Sequence, residues 1–172
     1  MVSIDFDVEK TKLFVFNQVE IYLQYLGFQI VSSDSARPWG GFFVINENQS
    51  DLFIKTFFPE IPKDEISITN KLSPKILVVA PKVRLSWQYH FRRAEIWKLI
   101  GGTAAISTNT TDEESTVRKI DSGSVIKLKQ GERHRLIGTN GWGIIAEIWQ
   151  HTDISNPSDE SDIVRVQDDF GR

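Results

Sequence analysis

RLSWQYHFRRAEIWKLIGG, residues 84–102, decides the reading of this chain. Its alternation is that of a β-hairpin. Leu85, Trp87 and Tyr89 fall on one face of a first strand, and Ser86, Gln88 and His90 on the other. A bend at Phe91–Arg92–Arg93 precedes a return strand carrying Glu95, Trp97 and Leu99 on one face. Gln88, His90 and Glu95 therefore converge on one side of a pleated surface. An amide oxygen, an imidazole and a carboxylate suit a divalent metal with mixed nitrogen and oxygen coordination. The best donor of a fourth ligand is His134, in QGERHRLIG.

The rest of the chain frames that stretch. Its 172 residues, 40% hydrophobic and 11% aromatic, are enough for one domain with a real core. A formal charge of −3 argues against a nucleic-acid binder driven by bulk electrostatics, and it leaves room for a local basic pocket. With no cysteine, disulfides and thiolate metal sites are excluded. Residues 1–9 carry three acids and no basic leader segment, so no secretory signal is expected. No apolar run is long enough to span a membrane. A cytoplasmic address is expected.

Residues 8–27 place Leu13, Phe16, Val19, Leu23 and Leu26 at steps of three and four, which predicts an amphipathic helix ended by Gly27. From Trp39 onward the chain reads as short strands, among them GGFFVIN, DLFIKTFF, KILVVAP, SVIKLK and GIIAEIWQ. Residues 59–74 read as a surface loop, and His151 as a surface or linker residue. Ile163, Val164, Val166 and Phe170 give the C-terminal tail something to dock with. Antiparallel strands in a sandwich or barrel follow, and a jelly roll belongs to that menu.

The 84–102 stretch resembles the first cupin motif, with Gln88, His90, Glu95 and Gly102 in its spacing. Gly123, Gly131 and His134 resemble the second motif, with Lys129 and Gly138 where proline and asparagine are usual. Within cupins the chain is similar to type II phosphomannose isomerases. Leu85, Ser86, Gln88, His90, Arg93, Glu95 and Trp97 reproduce that family's central pattern, and Arg37-Pro38-Trp39-Gly40 its entry motif. Asp162 to Arg165 with Asp168 to Arg172 look like its ending.

The resemblance implies an all-β cupin jelly-roll β-barrel of antiparallel strands with an added N-terminal α-helix. Residues 1–35 would be the helix and its connection, and residues 36–172 the cupin domain with its tail. Gln88, His90, Glu95 and His134 would hold one divalent metal ion, zinc first, with Mn, Fe, Co or Ni suiting the same donors. Glu147 and Arg165 are the catalytic candidates; Arg93, Arg172 and Trp39 are the substrate-binding ones. Arg84 and Arg135 are further candidates for a phosphate, and Asp168 and Asp169 would orient arginines. For Trp39, a sugar-facing wall and a core position both stay open.

The implied activity is a metal-dependent aldose–ketose isomerisation of a sugar phosphate, mannose 6-phosphate above all. A heptose phosphate, a free aldose such as lyxose, and a non-catalytic sugar-binding cupin are the alternatives. The expected partners are a sugar or sugar phosphate and a second copy of the chain, with neither nucleic acid nor membrane.

Overall fold

The computed structural model describes residues 10–172. The expectation of no leader over residues 1–9, and the first two residues of the expected helix, lie outside the described residues. Helix α1 runs Lys12–Tyr25, with the Thr11 side chain accepting from the Phe14 amide at its start. Two strands follow, β1 (Ile30–Asp34) and β2 (Gly40–Ile45), then helices α2 (Ser50–Phe57) and α3 (Lys63–Ile66). The remaining strands are β3 (Lys75–Val79), β4 (Trp87–His90), β5 (Arg93–Asn109), β6 (Arg118–Ile120), β7 (Val125–Leu128), β8 (Arg133–His151) and β9 (Ile163–Gln167).

All strand pairs are antiparallel, in the order β1-β2-β3-β8-β4-β9, with β5 joining β8 to β6 and β7. Two long strands, β5 and β8, run side by side from Arg93↔His151 to Asn109↔Arg133. Their register shifts at Leu99/Gly101 and Gly102/Ala104, where Gly102 has φ +67°. Such breaks bend paired strands and let one strand serve both layers of a barrel.

Period-two burial sorts the core into two clusters. Ile76 and Val78 of β3, Ile96 of β5, and Ile144, Ala146 and Ile148 of β8 pack outward against α1 and α2. Their alternates Leu77, Val79, Trp97, Leu99 and Ile145 face inward with Ile106, Ile126, Leu128 and Leu136. A sheet covered on both faces needs nearly continuous apolar strands, which is why KILVV carries no regular polar alternation. The inward series of β8, Ile145–Glu147–Trp149, breaks that rule with one acid.

Several expectations are corrected by the structure. The 84–102 stretch is not a hairpin, because β4 pairs with β9 and β8 whereas β5 pairs with β6, β7 and β8. Residues 91–92 form a corner, whose amides donate to the Asp162 carboxylate at 3.1 and 2.9 Å. DLFIKTFF is helical, since Phe53, Ile54 and Phe57 share one buried face and Phe53 and Phe57 pack ring to ring with Phe28. Within residues 59–74, Ile61, Ile66 and Leu72 are buried, and the Gln150 side-chain amide donates to the carbonyls of Glu65 and Ile66. That segment is part of the core wall. In α1, Leu13 is 71% exposed and Val15 takes its place inside.

His151, expected as a surface or linker residue, is fully buried. Its Nδ1 accepts from the Ser158 amide at 3.0 Å, so the neutral ring carries its proton on Nε2, 2.9 Å from Ser73 Oγ. Burial, with the positive charge of Lys71 next in weight, pushes the imidazole down to about 4 from its ordinary 6.5. Between those values the unfolded chain binds a proton that the folded chain refuses, so stability is complete above pH 6.5 and declines as pH falls toward 4. Chemical denaturation from pH 7 to 4 should show that decline, and His151→Gln should flatten it.

Candidate metal centre

The corner between β4 and β5 and the start of β8 bring three side chains together. His90 ends β4, Glu95 lies two residues into β5, and His134 is the second residue of β8. One potential ligand atom from each lies within 4.8 Å of the others, and all three residues are buried. His90 Nε2 is 3.1 Å from Glu95 Oε1, and His134 Nε2 is 3.4 Å from Glu95 Oε2. The His134 Nδ1 sits 2.9 Å from the Glu132 carbonyl, which directs its proton there and leaves Nε2 facing the carboxylate. That Nε2 is buried without a hydrogen-bond partner. Two imidazole nitrogens and a carboxylate in this arrangement fit a divalent transition metal.

The charges around the group fit the same conclusion. Burial works to push the Glu95 carboxyl up, yet His90 and Arg93, with the His134 imidazole beside its other oxygen, hold it well below its ordinary range. Burial lowers His90, with Arg93 and His134 adding to the effect against the pull of Glu95. His134 is buried too, but the Glu95 carboxylate beside it outweighs the desolvation and raises it.

Gln88 stands opposite His134 in strand register and lines the cavity above the group. Its Oε1 accepts from Ser86 Oγ at 2.6 Å. Arg93, expected to bind substrate, is only 2% exposed and its donors are engaged. Nε donates to Glu95 at 2.7 Å, Nη1 to Ser158 Oγ at 2.7 Å and the Asp159 carbonyl at 3.2 Å, and Nη2 lies 3.2 Å from His90 Nε2. It clamps the ligand set to the segment before β9.

The cavity beside this group opens to solvent, with about 560 Å³ of empty space counting that opening. Glu147 projects into it from β8, fully buried, and shares the Trp97 indole N–H with Glu95, at 3.0 Å and 3.1 Å respectively. Burial and then the neighbouring Glu95 charge push its carboxyl up to about 7. Trp39 is both buried and part of the cavity wall, with Phe42 and Trp149. Its place follows from Gly40, whose φ of +137° and close approach to the Val78 carbonyl leave no room for a Cβ. Arg37, Arg165 and Arg172 also line the cavity. Arg172 is held by Asp168 at 2.6 Å, and Arg165 Nε is buried without a partner. Arg84 and Arg135 are spent elsewhere, on Asp169 and Glu114. Sequence reasoning missed Lys75 and Glu160, which line the same wall; only the pairing of β3 with β8 sets Lys75 opposite Glu147.

Residues 46–168 match the family model described as mannose-6-phosphate isomerase C-terminal. The chain belongs to that family. The xanthan biosynthesis protein XanB of Xanthomonas campestris pv. campestris is 31% identical over 119 residues, covering 69% of this chain and 24% of that protein. The chain thus spans about a quarter of the curated relative it matches. Its fold resembles Lactobacillus farciminis oxalate decarboxylase (TM-score 0.53, 12% identity, 78% of this chain and 33% of that one). It also resembles the Momordica charantia 7S globulin (TM-score 0.50, 18% identity, 76% and 33%). The architecture is the cupin jelly roll with an N-terminal helix. Among the described residues no helix is long and apolar enough to cross a membrane.

Titration calorimetry with Zn²⁺ or Mn²⁺ should find about one ion per chain. His90→Ala or Glu95→Gln should weaken binding by roughly 100-fold or more, since even residues supporting a metal ligand typically matter 10–100-fold.

Proposed function

We propose that the chain is a metal-dependent aldose–ketose isomerase acting on a phosphorylated hexose, with mannose 6-phosphate as first candidate. The observation that carries this reading is Glu147, a buried carboxyl raised to about 7 beside a three-ligand metal group in an aromatic-walled cavity. Moving a proton between C1 and C2 needs a base whose affinity matches neutral pH, and a carboxylate at about 7 meets that need. His90, Glu95 and His134, with Gln88 as fourth donor, would hold the ion, zinc first. A bound divalent ion supplies Lewis acidity toward adjacent substrate oxygens.

Glu147 takes the proton from C2 and returns it to C1 through an enediol. The Trp97 N–H bridging Glu147 and Glu95 fixes the base relative to the ligand set. Arg165 and Arg172 hold the phosphate, for which a guanidinium fork is suited, and Trp39 supports the sugar. Arg93 orients Glu95 and His90. The cysteine-free composition accords with a cytoplasmic location.

The test is isomerase assay of the metal-loaded chain on mannose 6-phosphate, fructose 6-phosphate, heptose phosphates and free aldoses. Glu147→Gln should lower kcat by roughly 10²–10⁴-fold, as loss of a general base does, with metal binding retained. Arg165→Ala and Arg172→Ala should act mainly on KM. Tight sugar-phosphate binding without turnover would replace this reading with a binding cupin.

A further inference from the structure

The isomerase reading uses Glu95 and Glu147 but leaves one step unassigned. A hexose phosphate is mostly a closed hemiacetal, and no proton can move between C1 and C2 until the C1–O5 bond opens. Opening needs an acid at O5 and a base at the anomeric hydroxyl.

The cavity holds one further pair able to do this. Of the cations lining it among the described residues, Arg37, Arg93, Arg165 and Arg172 are guanidiniums that keep their protons at any working pH. Lys75 is the one cation there that can release one. Of its three lining carboxylates, Glu95 belongs to the metal group and Glu147 serves the carbon, which leaves Glu160.

Lys75 and Glu160 are already joined, Nζ to Oε1, at 2.8 Å. The lysine side chain is 9% exposed, lies opposite Glu147 in strand register, and places Nζ 3.6 Å from the centre of the Trp149 ring. Glu160 is 56% exposed and so stands toward solvent. Its backbone is held by the short helical turn Glu160–Asp162, which Asp159 caps and which Asp162 anchors to the corner after β4.

Resting on the isomerase reading, we infer that Lys75 and Glu160 are the acid–base pair that opens the sugar ring in this cavity. The Glu160 carboxylate takes the proton of the anomeric O1–H, and that bond's electrons form the C1=O1 carbonyl. The C1–O5 bond breaks with its electron pair going to O5, which takes a proton from the Lys75 ammonium. Passing the proton from Glu160 to Lys75 along their hydrogen bond restores both groups. Protons and electrons balance without a further reactant.

Ring opening can be read apart from isomerisation as exchange between α and β anomers, since both pass through the open chain. Magnetisation-exchange NMR on mannose 6-phosphate with the metal-loaded Glu147→Gln chain should show anomer exchange above the spontaneous rate. Adding Lys75→Met or Glu160→Gln should lower the enzymatic part at least roughly tenfold. Lys75→Arg keeps the charge and the ion pair but cannot give up its proton, so it should lose the activity as well; it also controls for misfolding of Lys75→Met. No acceleration by Glu147→Gln, or full exchange in Lys75→Arg, overturns the inference. A wild type that exchanges anomers through Lys75 without isomerising them overturns the isomerase reading and leaves the ring-opening pair standing.

Discussion

A single buried carboxylate organises the functional end of this barrel. Glu95 is 2% exposed, and an isolated charge at that depth would be too costly to keep. Its two oxygens are met by Arg93, His90, His134 and the Trp97 N–H, drawn from both sides of the corner and from the start of β8. Because Arg93 also reaches Ser158 and Asp159, the carboxylate is coupled through one guanidinium to the segment that leads into the tail strand. Removing one partner would leave a buried charge partly uncompensated, and so a change made there is felt at all the others.

The arrangement explains how a mostly apolar barrel keeps a polar cavity. Inward positions of β5 and β8 remain apolar at Leu99 and Ile145 and turn acidic at Glu95 and Glu147. The two acids are joined by one indole N–H instead of a cation, which leaves Glu147 with its raised proton affinity while Glu95 stays ionised. Two carboxyls a short way apart thereby acquire opposite protonation habits from their surroundings alone.

Reading the 84–102 stretch as a hairpin gave the right cluster of side chains by the wrong connection. Alternation says which face a residue occupies, and it says so whatever strand lies next door. Which strand lies next door is a long-range matter, decided here by the docking of β9 on β4 and by Asp162 capping the corner amides. DLFIKTFF misled for a related reason, as its aromatic content suits a strand and only packing on Phe28 shows that the helical face is the buried one. His151 offered no local signal at all, since its partners Ser73 and Ser158 come from two separate loops.

Periodicity in the sequence determined the N-terminal helix and an antiparallel sandwich or barrel, and the resemblance of its short motifs to cupins narrowed that to the jelly roll and to the His90, Glu95 and His134 group. It also singled out Glu147 and the arginines of the tail. Tertiary structure alone decided that Arg93 ties the ligands to the segment before β9, that Trp97 bridges the two acids, and that Lys75 and Glu160 line one cavity with Glu147. The bonds of Arg93 to Ser158, Trp97 to Glu147 and Lys75 to Glu160 join segments far apart in the chain, and their closeness is a property of strand register and barrel closure, which no local pattern encodes.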